Sequence, residues 1–372
     1  VEFAFNADQQ LLKHAARACL EEHCRPALVR QLWEDPRGVS DALWTRCAEL
    51  GWLGLTIPEA YDGGGLGMVE AAIVLEELGR AACPGPFLPT LLAAAALVAA
   101  GTEAQRQRWL PALASGRARA TVAFLDATLD WDPTATLTQA EPGPHGFVLT
   151  GTKHFTPWAH TADLLLVPAR APEGLTLFAV EPGMPGLKMT PVTGMDLGTR
   201  WLTLVLDRVP VDREAVVGRP GEAGPLLAAL LCRGAVGAAA EMLGAARRCL
   251  DMSVAYAKVR EQFGQPIGAF QAIKHKCAEM LVEVENAHAA VYYAAWALDA
   301  EAEDAPLAAS VAKAYAGEAA RRVAGEAIQV HGGIGFTWEY DLHLYVKRAK
   351  ALEVMYGDAD YHRELIVRRV AG

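Results

Sequence analysis

The chain has 372 residues, enough for two or three domains of ordinary size. Hydrophobic residues make up 52% and charged residues 21%, a composition that supports a full core and excludes intrinsic disorder. A net charge of -10 leaves no basic field to attract nucleic acid or an anionic membrane. The seven cysteines (Cys19, Cys24, Cys47, Cys83, Cys232, Cys249, Cys277) are odd in number and form no C-x-x-C pair, which points to reduced thiols. The opening VEFAFNADQQ has no basic stretch followed by an apolar core, and the apolar run Leu91 to Ala100 is about half of what a bilayer needs. A cytoplasmic chain without a membrane span is therefore expected.

In chain order, residues 1 to 118 read as helices. Glu70 to Arg80 places Ile73, Val74, Leu75 and Leu78 on one helical stripe, and further helices are expected over Leu91 to Ala100 and Glu103 to Leu113. From 119 to 221 proline and glycine become dense. Short apolar runs (Phe147 to Leu149, Leu164 to Val167, Leu175 to Val180, Trp201 to Leu206) alternate with turn residues, the pattern of a small antiparallel β domain. From 222 to 372 the helical texture returns. Pro225 to Ala240 reads as a buried helix, Phe270 to Ala300 holds a 3.6-residue period, and a further helix is expected from Pro306 through Ala327 before a break at Ile334. The expected fold class is α+β multidomain, in the order helical, β, helical.

Several chemistries are disfavoured. None of the four serines lies in G-x-S-x-G, and the ten histidines show no H-E-x-x-H or other metal spacing, so no metal is expected. The glycines of Asp62 to Gly67 do not form G-x-G-x-x-G, and there is no phosphate-binding P-loop.

Two segments resist explanation as packing alone. Tyr256 to Gln271 reads YAKVREQFGQPIGAFQ, which puts Arg260 and Phe263 in the last helical turn before a Gly-Gln-Pro-Ile-Gly break. A guanidinium beside an aromatic suits a diphosphate and a planar ring; equally, an Arg caps its own helix and a Phe fills a core. Ala327 to Tyr340 reads AIQVHGGIGFTWEY, where Gly332 and Gly333 permit close approach of a ligand and Gln329 offers an amide. Its alternative is a glycine break between helices with Gln329 on a solvated face. His331 reads as a helix-end or interface histidine, and Trp338 to Tyr340 as packing between the last helices.

Taken together, RGVSDALWTRCAELGWLGLTIPEAYDGGGLGMVEAAIVLEELGR, REQFGQPIGAFQAIKHKCAEM and QVHGGIGFTWEYDLHLYVKRAK resemble the acyl-CoA dehydrogenase family in order and spacing over essentially the full length. The resemblance implies that family's fold: an N-terminal helical domain, a central β domain and a C-terminal four-helix-bundle domain. It also implies FAD at a subunit interface. Residues matching Arg260, Phe263, Gln271, Gln329, Gly332 and Gly333 hold the diphosphate and adenosine of a neighbouring subunit's flavin, and all six match.

The positions serving the chain's own flavin ring and base depart from the family. Its T-E-x-x-x-G-S-D stretch is here VAFLDATLD, Val122 to Asp130, and its K-x-W-I-T-N is Lys153 to Trp158, with Pro157 replacing the Thr. Phe155 or Trp158 remains to stack on the ring. The family's base Glu is replaced by Tyr356, and its second location, before Arg233, holds Cys232. An unperturbed phenol is ionised in about one molecule in a thousand at pH 7, a deficit of roughly 4 kcal/mol for a base. Tyr356, with Arg233 as a neighbouring cation, and the carboxylates Asp358 and Glu241 are the candidates for that role; the alternative is that Tyr356 simply fills an inactive pocket.

Three readings follow from the resemblance. The first is a subunit that completes a related dehydrogenase subunit's FAD site in a heterotetramer, similar to actinobacterial steroid side-chain enzymes in its Gly357 to His362 run. The second is a self-sufficient homodimer or homotetramer with a displaced base. The third is a scaffolding relative without flavin. For the first two, an acyl-CoA thioester is the expected substrate and an electron-transfer flavoprotein the expected acceptor.

Overall fold

The computed structural model describes residues 4–371. Six helices come first: α1 (Ala7–His23), α2 (Pro26–Glu34), α3 (Asp41–Glu49), α4 (Met68–Arg80), α5 (Phe87–Ala100) and α6 (Glu103–Ala114). Their starts are written locally. Asn6 and Gln9 form a reciprocal capping box on α1, Thr102 and Gln105 do the same on α6, and the Ser40 hydroxyl accepts from the Leu43 amide on α3.

Eight strands follow: β1 (Ala120–Val122), β2 (Gln139–Pro142), β3 (Gly146–Pro157), β4 (Leu164–Ala171), β5 (Gly174–Val180), β6 (Leu187–Val192), β7 (Trp201–Asp212) and β8 (Val216–Val217). They form one sheet in the order β6-β7-β3-β2-β4-β5-β8, with β1 beside β4. The sheet is antiparallel except where β1 and one residue pair of β2 run parallel to β4, so it is mixed rather than purely antiparallel. Its core is the inward row Leu149, Leu165, Val167, Phe178, Leu204 and Val209, every one fully buried. The strands that sequence reading misses are short or polar: QAEP in β2 and LKMTPV in β6 carry no apolar alternation strong enough to see.

The rest is helical. α7 (Ala223–Val259) ends at a small hairpin of β9 (Glu261–Gln262) and β10 (Gln265–Pro266), and α8 (Gln271–Asp299), α9 (Ala305–His331), α10 (Leu342–Val354) and α11 (Ala359–Ala371) complete the chain. α7 is long and apolar enough to cross a membrane by length and composition alone. However, 67% of its apolar window is buried inside the fold, as a core helix requires.

Chain contacts divide the molecule into two compact units. One comprises the chain up to Gln31, Met68–Cys83 and everything from Ala235 onward; the other comprises Leu32–Gly67 and Pro84–Gly234. Within the first unit, α4 and α7 cross in near backbone contact. A Cβ on Gly79 would lie 2.0 Å from the Glu241 carbonyl oxygen, and one on Gly244 would lie 1.8 Å from that of Glu76. Only glycine permits that crossing. Beside it, the fully buried Glu76 carboxylate is held by Lys13 at 2.8 Å, the Tyr292 hydroxyl at 2.6 Å and Arg247 at 3.3 Å. Burial opposes its ionisation, but these partners outweigh it and its pKa is lowered.

Candidate functional site

The first cluster of expected site residues gathers where α7, α8 and α9 end or begin. α7 stops at Val259, so Arg260 and Phe263 are not in its last turn as the sequence suggested; they belong to the hairpin that follows. Phe263 (φ 54°) and Gly264 (φ 79°) occupy its two turn positions, both in the left-handed region that a two-residue hairpin loop demands. A phenylalanine held there has no local packing reason, and Phe263 is 93% exposed, with the Phe270 ring edge-on at 6.1 Å. It is not the core residue that a packing explanation would require.

Arg260 is exposed as well, and its guanidinium has no ion pair or side-chain hydrogen bond among the described residues. The second motif lies alongside. Tyr256, whose carbonyl accepts the Arg260 amide, stacks on His331 with centroids 4.6 Å apart. His331, buried at the helix end with its Nδ1 against the Ala327 carbonyl, therefore brings the end of α9 up to the end of α7. From that end Gln329 is exposed, while Cβ atoms on Gly332 and Gly333 would meet nothing within 4 Å. Gln271 is exposed at the first position of α8. Trp338, expected between helices, is 53% exposed, with Lys347 at 4.2 Å over its ring; Tyr340 packs against His331.

This constellation fits FAD by its own chemistry. It offers an unpaired guanidinium for a diphosphate, exposed amides for polar edges, an exposed aromatic for a flat ring system, and two glycines that leave the backbone open.

The second group lies on the β domain, in the other unit. A register shift in β3 between Lys153 and Thr156 puts Phe155 at φ 47°, 42% exposed, with Trp201 edge-on at 6.5 Å. Trp158 is 3% exposed and its ring lies parallel to His160, so of the two aromatic candidates only Phe155 presents a face. Beneath them, Lys153 is wholly buried and donates to Asp126 at 2.6 Å; Asp126 also accepts from the Thr138 hydroxyl at 2.5 Å and the Leu137 amide at 3.2 Å. Burial brings the Lys153 pKa down to about 8 despite that partner. The pair ties Val122 to Asp130 to the start of Lys153 to Trp158, the two segments that depart from the family pattern, and the Leu125 carbonyl accepts the His154 amide in the same stitch.

At the expected base position Tyr356 is 2% exposed, with φ 56°. Burial first, and then the nearby Glu241 carboxylate, push its phenol above the ordinary range, which moves it away from service as a base. Glu241 is itself paired with Arg348 at 3.5 Å, and Arg348 donates to the Cys83 carbonyl at 3.0 Å. Asp358 does not point to base chemistry either: it is exposed, and its carboxylate accepts the Tyr361 amide at the start of α11. Cys232 and Arg233 are half-buried on α7, and Arg233 has no ion pair among the described residues. Sequence reading missed Arg348 and Lys313, both buried; a charged residue at a position of the apolar stripe was the available signal. No cluster of three metal-ligating side chains occurs among the described residues.

Comparison with known proteins agrees with these features. The profile for the acyl-CoA dehydrogenase N-terminal domain matches residues 6–117, and that for the C-terminal domain matches residues 226–371. Acyl-CoA dehydrogenase IpdE2 of Mycolicibacterium smegmatis is 35% identical over 348 residues, 92% of each chain. Among solved structures, the ChsE4-ChsE5 complex from Mycobacterium tuberculosis superposes with a TM-score of 0.92 at 30% identity, over 100% of this chain and 99% of that one. A single-residue variant of the Tcur3481-Tcur3483 steroid ACAD does so with a TM-score of 0.90 at 33% identity, over 98% of both. With both terminal domains matched and nearly every residue covered by such relatives, the chain belongs to the acyl-CoA dehydrogenase family, FAD-dependent oxidoreductases acting on CH-CH bonds.

Proposed function

We propose that this chain is one subunit of a heteromeric acyl-CoA dehydrogenase, supplying the diphosphate-side clamp of a partner subunit's FAD while its own base position is silent. One contrast carries the reading. The flavin-clamp residues are open and unpaired, with Phe263 at 93% exposure, whereas the base position is occupied by a sealed phenol, Tyr356 at 2%. A clamp kept open beside a closed acyl side is the division of labour expected of a subunit that completes another's site.

In this reading Arg260 neutralises a diphosphate oxygen, Gln271 and Gln329 hydrogen-bond polar edges, Phe263 covers a flat face, and Gly332 and Gly333 let the ligand approach the backbone. When bound, FAD supplies the hydride acceptor for α,β-dehydrogenation. The proton α to the thioester carbonyl is taken by the partner subunit's carboxylate, because burial and the Glu241 carboxylate keep Tyr356 protonated. The substrate is a CoA thioester of a bulky, steroid-type acyl group, the class named for the similar Tcur3481-Tcur3483 steroid ACAD, and an electron-transfer flavoprotein would be the electron acceptor. The three-part division at 118/119 and 221/222 and a cytoplasmic location belong to the same reading.

Flavin content tests it. The full chain is purified alone and together with a related acyl-CoA dehydrogenase subunit, and visible flavin absorbance is compared with protein concentration and with mass from light scattering. Little flavin alone, and about one per pair after co-purification, is the expected result. Stoichiometric FAD in a homo-oligomer overturns it and favours the self-sufficient enzyme with a displaced base.

A further inference from the structure

The turn that carries Tyr356 is held by side chains that neither the flavin clamp nor the base position accounts for. Lys313, in the N-terminal third of α9, is 1% exposed. Its ammonium reaches no carboxylate within 4 Å among the described residues. Instead it donates to two backbone carbonyls, Glu353 at 2.8 Å and Gly357 at 2.6 Å. The first belongs to the last turn of α10, where carbonyls lack helical partners; the second lies beyond Tyr356. From the other side, His362 on α11 donates its Nε2-H to the Tyr356 carbonyl at 2.8 Å. A carbonyl only accepts, so the ring is the Nε2-H tautomer, and its buried Nδ1 has no partner.

The backbone between these anchors needs holding. Tyr356 has φ 56° and Gly357 has φ 94°, and the first is a conformation that a tyrosine adopts only when its surroundings impose it. A Cβ on Gly357 would meet the Tyr361 ring at 2.3 Å, so the turn is also closely packed.

We propose that Lys313 is a positioning residue, whose amine clamps the α10–α11 turn across Glu353 and Gly357 and so holds residue 356 in its left-handed, inward-facing conformation. The two carbonyl partners match the two N–H donors of a neutral amine. In keeping with that, burial lowers the Lys313 pKa to about 7 against the opposing pull of the Asp358 and Glu353 carboxylates. His362, a further titratable group facing the clamp, is held to about 4 by burial and by Lys313, and so stays neutral beside it, as does the buried phenol of Tyr356, whose pKa burial raises. In function, the clamp keeps this chain's acyl side closed. That consequence rests on the partner-completing reading; the clamp itself does not.

Hydrogen exchange on the full chain separates the two. Lys313→Met is expected to raise amide exchange over residues 354–362 by at least about tenfold, while the middle of α8 exchanges as in wild type. The phenol of Tyr356, identified by the signal lost in Tyr356→Phe, then becomes titratable in ultraviolet difference spectra of the folded protein. Lys313→Gln keeps two N–H donors on a shorter arm and is expected to restore part of the protection; it also carries the test if the methionine variant does not fold. Unchanged exchange over 354–362 overturns the proposal. So does exchange that rises equally in α8, which would mark Lys313 as a general stabilising residue. Neither outcome depends on flavin, so failure of the clamp is distinguishable from failure of the heteromer reading.

Discussion

Replacing Lys153 tests whether the two departed flavin-side segments are held together by charge. Its side chain is fully buried and that of Asp126 is 2% exposed, so neither group has water to fall back on. Lys153→Met leaves the Asp126 carboxylate buried with two hydrogen-bond donors and no counter-charge, and is expected to destabilise by about 3–5 kcal/mol. Asp126→Asn keeps one acceptor oxygen, for the Thr138 hydroxyl or the Leu137 amide but not both since they bind different oxygens, and strands the ammonium, with a similar expected cost of about 3–5 kcal/mol. The double variant removes both charges and keeps one of the two acceptor oxygens. It should lie within about 2 kcal/mol of wild type, far from the sum of the singles. Urea unfolding of the four proteins, followed by tryptophan fluorescence, gives the cycle. A double variant as unstable as the two singles added together would refute the idea that this pair acts as one unit.

Other outcomes follow from the same geometry. Arg260→Ala and Phe263→Ala remove exposed side chains, so unfolding midpoints should correspond to changes within about 0.5 kcal/mol, while FAD retained by the co-purified complex drops; a large stability loss with flavin intact would contradict the assignment. Arg348→Met removes the counter-charge of the Glu241 carboxylate near Tyr356 and should destabilise by about 3–5 kcal/mol in denaturant titration, with Glu241→Gln in the same chain recovering most of that. Lys313 carries a pH signature. Its folded pKa, about 7, lies below the value near 10.5 expected when unfolded, so between those limits the unfolded chain binds more protons and this residue's contribution favours the folded state increasingly as pH rises. Relative to Lys313→Met, wild-type stability should climb by up to about 1.4 kcal/mol per pH unit above pH 7 and show no such slope below it. Parallel curves for the two proteins would contradict a buried amine.

How legible this molecule was in its sequence depended on what each residue had to do. The long helices were plain, because α8 repeats its apolar stripe over its full length and α5 and α6 are bounded by Pro86 and the Thr102 capping box. The flavin clamp was legible as chemistry but not as geometry. Arg260 and Phe263 stood out in YAKVREQFGQPIGAFQ, yet a helical period extrapolated through them hides a hairpin that depends on a left-handed Phe-Gly pair. The aromatic choice on β3 was undecidable from spacing, since a bulge rather than strand alternation turns Phe155 outward and Trp158 inward. Tyr356 was found by its departure from a family pattern. The groups around it were not, because Lys313 and His362 hold its turn, and Arg348 the nearby Glu241, from three different helices that share no spacing one sequence displays.

The length of α9 has a mechanical consequence. Lys313 and Gln329 sit on one uninterrupted helix, separated by about 24 Å of axial rise. An α-helix barely stretches, and a turn of its axis at one end is a turn at the other. The closed end and the open end are thus two points on a single beam, and a proline or a kink between them would misalign both at once. Selection on either end then constrains the whole helix, including the buried Ala316 and Ala320 between the two ends, whose small size keeps the beam seated against its neighbours.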